Sequence, residues 1–179
     1  MDEMQLIERC IRGETAAQKR LYELHAPAMM SVCQRYVCCR ETARDLLHDG
    51  FVKVFTKVHT YSGTGSFNGW MRRVFVTTAL EYLRQKDVLR NSVEIEYSDY
   101  QETEQSISIL EELSAKELLA CIAALPEIFR TVFNMHAIEG YTLVEVAREL
   151  EISDNTTRSR YARARKMLQK MIVNEEYRV

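Results

Sequence analysis

The chain has 179 residues, enough for one moderate core or two small ones, and a formal net charge of −2. Its five cysteines lack zinc-ligand spacing, which disfavours a metal or redox role and favours small buried residues in a reducing compartment. No secretory signal and no apolar run of membrane-spanning length are present. We therefore expect a soluble, cytoplasmic protein without membrane insertion, cofactor or metal.

Apolar residues recur with helical spacing almost throughout, interrupted by only two prolines and six glycines, and no strand pattern is convincing. The predicted fold class is all-α, with two small helical domains joined by an acidic flexible linker. We place helices over residues 4–12, 15–37, 41–59, 66–85, 109–124 and 126–139, followed by two more near the carboxyl end. Pro27 should bend or break the second helix, because it lacks a backbone N–H and its ring crowds the preceding turn.

The helix predicted over 41–59 has one apolar and one charged face. The apolar stripe consists of Ala43, Leu46, Leu47, Gly50, Phe51, Val54, Phe55 and Val58. The outer face carries Arg44, Asp45, His48, Asp49 and Lys53. On the residues alone, this charged face is better explained as a solvated helix surface than as a binding site.

A loop rich in glycine and small polar residues, 60–66, leads into an aromatic and basic helix. The predicted inner face of that helix consists of Phe67, Trp70, Met71, Val74, Thr78 and Tyr82. Aromatic residues beside cations and a polar loop are typical of single-stranded DNA sites, where bases stack and phosphates meet positive charge. We interpret Trp70 as core, and the loop and the arginines as a DNA contact.

Charge is strongly segregated in the second half of the chain. Residues 91–117 contain eight acids and one base, whereas residues 155–170 contain six bases and no acid. The acidic stretch 91–112 has no hydrophobic face, so we expect a flexible tether between two domains.

Residues 140–170 predict a helix-turn-helix. Thr142 and Glu145 fit a capping box, Glu151 and Ile152 fit the turn, and Ser153 fits the cap of the second helix. The inner face of that second helix consists of Thr157, Tyr161, Ala164 and Leu168. Its outer face mixes cations with short side chains, as a helix in the major groove requires, although a merely solvated face is the alternative.

With these segments in this order, the chain resembles a bacterial RNA polymerase sigma factor of the small extracytoplasmic function (ECF) type, from about residue 8 to 171. Residues 43–55 are similar to the family's core-polymerase-binding helix. Residues 67–86 resemble its segment that opens and reads the minus-ten element, and residues 125–168 resemble its domain that reads the minus-thirty-five element.

The resemblance implies a domain over 1–90 for core polymerase and minus-ten DNA, a linker over 91–112, and a minus-thirty-five domain over 113–179. The implied core-polymerase contacts are Asp45, His48, Asp49 and Lys53. The implied minus-ten contacts are Tyr61, Ser62, Ser66, Asn68, Arg72, Arg73, Thr77 and Arg84. The implied minus-thirty-five contacts are Asn155, Thr156, Arg158, Ser159, Ala162, Arg163 and Lys166. Core RNA polymerase and promoter DNA are the implied partners, with an anti-sigma factor as a further candidate.

Four positions depart from the usual family pattern. Thr77 and Glu81 replace the usual Asn and Asp, which leaves the minus-ten sequence open. Glu151 replaces the usual Gly, so it should either adopt a left-handed conformation or alter the turn, and Thr157 replaces an apolar residue. The alternative function is a helix-turn-helix repressor or activator that acts without polymerase and dimerises through its amino-terminal helices. A cysteine-based redox or metal sensor is disfavoured.

Overall fold

The computed structural model of the chain describes residues 3–86 and 115–176. Within these ranges every regular element is helical, which confirms the predicted all-α class. The elements are α1 (Glu3–Ile11), α2 (Thr15–Tyr36), α3 (Arg40–Lys57), a 3₁₀ turn (Val58–Thr60), α4 (Phe67–Gln85), α5 (Ala115–Ala124), α6 (Glu127–Phe133), a π-helical turn (Asn134–Ile138), α7 (Leu143–Leu150) and α8 (Asp154–Glu176). The predicted tether, residues 91–112, lies outside the described residues.

The chain divides into two compact units between Gln85 and Lys86. We call them the amino-terminal unit, with α1 to α4, and the carboxyl-terminal unit, with α5 to α8. None of the helices in the described ranges is long and apolar enough to cross a membrane.

In the amino-terminal unit, α2, α3 and α4 pack against one another and α1 packs on α2. The apolar stripe predicted for α3 faces this core, with only Phe55 partly exposed. Gly50 lies where α3 crosses α4, and a Cβ atom on it would stand 2.2 Å from Cε1 of the buried Phe75 ring. Glycine is therefore required here because the two helices approach so closely.

The helix α2 runs unbroken from Thr15 to Tyr36, so of the two predicted effects of Pro27, bending or breaking, the break does not occur. Pro27 is exposed, and the hydrogen bond it cannot make would have gone to the carbonyl of residue 23, which is itself exposed. Water can satisfy that carbonyl. The Ser31 hydroxyl donates to the Pro27 carbonyl at 3.2 Å, one turn later.

The buried face of α4 is broader than predicted, because this helix packs against both α2 and α3. Its buried residues are Phe67, Met71, Phe75, Val76, Thr78, Ala79, Leu80 and Leu83. Three residues expected inside, Trp70, Val74 and Tyr82, are only partly buried. The interpretation of Trp70 as core is therefore wrong.

In the carboxyl-terminal unit, α8 packs against α5, α6 and α7. One hydrophobic cluster of its core consists of Cys121, Ile122, Leu125, Phe129, Ala164, Leu168 and Ile172. The helix predicted over 126–139 changes character midway, as α6 passes into the π-helical turn. There the Glu139 N–H donates to the Asn134 carbonyl, five residues back, at 2.9 Å.

Arg130 of α6 is buried and joins α5 to α6. Its Nη1 atom donates to the carbonyl oxygens of Ala123 at 3.0 Å and Leu125 at 2.9 Å. Ala123 is in the last turn of α5 and Leu125 follows its end, where no further helical N–H is available to these carbonyls. Arg130 thus stabilises the junction from inside rather than contacting a ligand.

Three cysteines, Cys10, Cys33 and Cys121, are buried, as predicted for small core residues. Cys38 and Cys39 are exposed, which corrects that expectation for the adjacent pair. The reason is local, since both lie in the short extended connection between α2 and α3, where Val37 takes the buried position.

Candidate nucleic-acid interface

Three local devices shape the helix-turn-helix: the capping box at the start of α7 and the Ser153 cap of α8 confirm predictions, and Glu151 takes the first of its two predicted alternatives. The Thr142 N–H donates to Glu145 Oε2 at 2.8 Å, and the Glu145 N–H donates to Thr142 Oγ1 at 3.2 Å, which completes the capping box. Glu151 is left-handed, with φ 55° and ψ 40°. The Thr156 N–H then donates to Ser153 Oγ at 3.1 Å, which caps α8.

The inner face of α8 holds this helix against the rest of its unit. Thr157 is fully buried, and its hydroxyl donates to the Ser153 carbonyl at 3.1 Å, so a polar residue is satisfied at an apolar position. The partly buried Tyr161 ring stacks on Phe133, with centroids 6.1 Å apart, and meets the His136 ring edge-on at 4.7 Å.

Arg160 belongs to the inner face, although the sequence alone placed it in the basic run. It is 6% exposed, and burial lowers the pKa of its guanidinium. Its position follows from the helical phase, since it lies one turn from both Thr157 and Ala164, which are buried. Arg160 is therefore not part of the surface that α8 presents.

The opposite face of α8 presents the side chains implied for minus-thirty-five DNA. Those that are exposed are Asn155, Arg158, Ser159, Ala162 and Arg163. Thr156 and Lys166 are partly buried at the edges of this face, and Thr156 Oγ1 lies 2.8 Å from Ser153 Oγ. We call these seven residues the α8 face.

In the amino-terminal unit, hydrogen bonds and aromatic contacts hold the loop 61–66 against the start of α4. The Tyr61 hydroxyl donates to the Gly65 carbonyl at 2.7 Å, while Ser66 Oγ accepts from the Gly69 N–H at 3.0 Å. The Phe67 ring stacks on Trp70 at 5.4 Å, and the Tyr61 ring lies 5.2 Å from Phe67. The loop therefore begins and ends on an aromatic cluster.

The other implied minus-ten residues differ in exposure. Ser62 is exposed, with its hydroxyl oxygen 2.6 Å from that of Thr64. Asn68, Arg73 and Thr77 are exposed along α4. Arg72 and Arg84 are partly buried, so they present less of their side chains to a ligand.

A groove of about 130 Å³ runs between α3 and α4. Its lining residues are Lys53, Lys57, Trp70, Arg73, Val74, Thr77 and Glu81. Lys53 Nζ donates to Glu81 Oε2 at 2.5 Å, an ion pair that joins the two helices. We call this the α3–α4 groove.

The sequence did not indicate that Lys53, Lys57, Trp70 and Glu81 share one site. Lys53 and Glu81 are 28 residues apart, and only the crossing of α3 and α4 brings them together. Lys53 was grouped with the polymerase-facing charges, whereas in the structure it is partly buried against α4.

The remaining residues implied for core polymerase form an exposed strip on α3. Asp45, His48 and Asp49 are exposed, and Val52 beside them is 50% exposed. This strip, which we call the α3 face, thus combines charge with an accessible apolar side chain. No cluster of three or more possible metal-binding side chains occurs within the described ranges.

Comparisons with known proteins agree in both units. The family model for Sigma-70 region 2 matches residues 21–88, and the model for Sigma-70, region 4 matches residues 115–168. Together they cover more than half of the chain.

Two curated relatives match over nearly the full length. The chain is 26% identical over 181 residues to the ECF RNA polymerase sigma-E factor of Haemophilus influenzae, covering 93% of each. It is 25% identical over 181 residues to the RNA polymerase sigma-H factor of Pseudomonas aeruginosa, covering 95% of this chain and 93% of that relative.

A solved structure shows the same fold. It is the sigma factor RpoE in complex with the anti-sigma factor NepR from Bartonella quintana, with a TM-score of 0.51 and 17% identity. The match covers 86% of this chain and 95% of that chain. The chain therefore belongs to the sigma-70 family, within its ECF group, and is a sigma factor that directs RNA polymerase to promoters.

Proposed function

We propose that each of the three surfaces described above has one partner in transcription initiation. The α8 face reads the minus-thirty-five duplex, the α3–α4 groove and the loop 61–66 hold the opened minus-ten strand, and the α3 face binds core polymerase. The observation that carries this proposal is the α8 face itself. Sigma factors act in the cytoplasm as initiation factors, and polymerase performs the chemistry, so we assign the chain no catalytic residue.

The α8 face has the chemistry that a major-groove helix needs. Arg158 and Arg163 are exposed and can donate to guanine edges or to phosphates. Ser159 and Ala162 between them are short, so the helix backbone can approach the base edges. The left-handed Glu151 and the Ser153 cap fix where this helix begins, and a single recognition helix of this kind is typical of helix-turn-helix proteins.

The amino-terminal unit has the chemistry of a single-strand site. Trp70 and Tyr61 are partly exposed aromatic rings on which an unpaired base can stack. Arg73 and Lys57 are exposed cations beside them and suit the phosphates of the same strand. Any base can stack on an aromatic ring and every nucleotide carries a phosphate, so these two features support binding of the unpaired strand more than selection of a particular base.

Neither DNA surface is large, so tight promoter binding should need polymerase. One recognition helix and one groove lack the paired half-sites that make dimeric repressors bind strongly. Core polymerase would hold both surfaces on one promoter, which turns two weak contacts into a strong one through effective concentration. An anti-sigma factor is a further proposed partner, since the relative of known structure was captured with one.

The test is a permanganate footprint of a cognate promoter with the chain alone, core polymerase alone and the mixture. Reactive thymines should appear only in the mixture. They should disappear with Asp45→Lys plus Asp49→Lys, because those changes reverse the α3 face. The control is Glu8→Lys plus Glu23→Lys, which reverses two exposed acids on α1 and α2.

Circular dichroism should show that both double variants keep the parental helix content, since exposed charges usually change stability by within about 0.5 kcal/mol. Parental competition for core polymerase by the α3 variant would show that the polymerase contact lies elsewhere. Tight, symmetric, sequence-specific protection by the chain alone would instead favour a repressor that acts without polymerase.

A further inference from the structure

Two of the α4 side chains that line the α3–α4 groove, Thr77 and Glu81, can act as hydrogen-bond acceptors. Thr77 and Glu81 lie four residues apart, hence on the same face of the helix. The Thr77 hydroxyl donates its only proton to the Arg73 carbonyl at 2.9 Å, so toward the groove its oxygen can only accept. The Glu81 carboxylate accepts from Lys53 through Oε2, and its side chain is still 45% exposed.

We propose that this pair of acceptors makes the groove select against thymine. Adenine, cytosine and guanine each carry an exocyclic amine that can donate to Glu81 or Thr77. Thymine has carbonyl oxygen O4 where cytosine has its amine, and its one N–H stands between two carbonyls. A thymine in the groove would therefore place a carbonyl oxygen against the carboxylate. The inference rests on the proposed role of the groove in holding the minus-ten strand.

The cations of the groove do not remove this selectivity. Lys53 is already engaged by Glu81, which holds the carboxylate in place across the two helices. Lys57 and Arg73 are exposed and suit phosphates, which every nucleotide carries. Trp70 offers a stacking surface that any base can use. Among these residues, Thr77 and Glu81 are the pair placed to distinguish one base from another.

The experiment is a selection from a promoter library with a randomised minus-ten element, using holoenzyme reconstituted with the full chain. The parent should deplete thymine at one position. Glu81→Gln adds an amide donor that can meet O4, so thymine at that position should rise by about fivefold or more relative to the parent. An unchanged base profile at every position with Glu81→Gln would overturn the inference.

A matched control separates the acceptor from the ion pair. Lys53→Met breaks the ion pair but keeps the carboxylate, so it should lower recovery of all sequences and keep thymine depleted. If Lys53→Met admits thymine as Glu81→Gln does, the selectivity comes from the ion pair and the inference is wrong. If the parental holoenzyme enriches no minus-ten sequence at all, the proposed contact between the α3–α4 groove and the minus-ten strand is wrong. That result differs from an unchanged base profile with Glu81→Gln, which would overturn only the inference about thymine.

Discussion

The two units expose the helices proposed to contact DNA in different ways. In the carboxyl-terminal unit, α8 packs through one face and leaves the opposite face open, so its proposed DNA surface comes from a single helix. In the amino-terminal unit, α4 is packed by both α2 and α3, and its remaining exposed side forms one wall of a groove. A site on one helix is set by helical phase, whereas a site between two helices is set by how they cross.

Arg130→Met tests whether the two units unfold independently, and it has the largest expected effect. A hydrogen bond from a charged donor contributes roughly 1.5–3 kcal/mol, and Arg130 makes two of them to the end of α5. The free energy of unfolding of the carboxyl-terminal unit should fall by at least that amount. The single tryptophan, Trp70, lies in the amino-terminal unit, so if the two units unfold independently, circular dichroism should detect the loss while the fluorescence transition stays unchanged.

Arg148→Met is the control, since Arg148 is an exposed arginine of the same unit. It should change neither transition by more than about 0.5 kcal/mol. A fluorescence transition that moves together with the circular dichroism in Arg130→Met would mean that the two units unfold as one.

Gly50→Ala tests the helix crossing that builds the groove. The added methyl group would overlap the buried Phe75 ring, and overpacking of this kind costs about 1–3 kcal/mol. Better helix propensity offsets part of that loss, by up to about 1 kcal/mol. Urea unfolding followed by Trp70 fluorescence should show a less stable unit, and Phe75→Leu in the same chain should restore part of the loss. A Gly50→Ala protein more stable than the parent would contradict the close crossing.

Arg158→Ala and Arg163→Ala test whether the α8 face, which lies on a single helix, binds the minus-thirty-five duplex. An arginine that reads guanine should cost roughly 1–3 kcal/mol of binding to a minus-thirty-five duplex, and one that contacts phosphate should lower the salt slope by about one. Arg20→Ala is the control, because Arg20 is an exposed arginine on α2 of the amino-terminal unit. Binding equal to the parent at every salt concentration for both variants would show that the face is wrongly assigned.

Cysteine alkylation compares one exposed cysteine, Cys39, with buried cysteines in both units, and its expected effect is the smallest. Hydrogen bonds to the Cys39 sulfur from the backbone and hydroxyl of Thr42 lower its pKa, whereas burial raises the pKa of Cys33 to about 12. A lowered pKa gives more thiolate at neutral pH, so Cys39 should react before Cys33 or the buried Cys121.

The reaction rate at Cys39 should rise with pH and level off below the pH at which an ordinary thiol does. Thr42→Val should slow labelling at neutral pH, as mass spectrometry of the digested protein would show. Equal labelling of Cys39 and Cys121 in the folded protein would contradict the assigned burial and exposure.

Local signals in the sequence predicted the geometry of the carboxyl-terminal helix-turn-helix well. The capping box at Thr142, the left-handed Glu151 and the Ser153 cap each depend on residues within a few positions of one another. The α8 face followed from a period of 3.6 residues, as did the stripe of α3. Arg160 was the exception in the basic run, because composition alone does not reveal on which side of a helix each charge falls.

Contacts that depend on helix crossings were not predictable in the same way. The Lys53–Glu81 pair needs α3 and α4 to meet at those residues, and periodicity within one helix carries no such information. Trp70 was assigned to the core because helical spacing placed it on one face with Phe67 and Met71, but in the packed helix Phe67 is buried and Trp70 is only partly buried. Arg130 reaches carbonyls of the preceding helix, which required the fold of that junction.

The π-helical turn at Asn134–Ile138 sets the angle at which the chain leaves α6 and enters the helix-turn-helix. Each residue advances an α-helix by about 100°, so the additional residue in a π turn rotates the outgoing chain by roughly that angle. His136 fixes the outgoing direction, since its Nδ1 atom lies 2.6 Å from the Tyr141 carbonyl and its ring rests on Tyr161. Deleting one residue from this turn would therefore change the direction in which α8 points from α6, although every residue proposed to contact DNA would be unchanged.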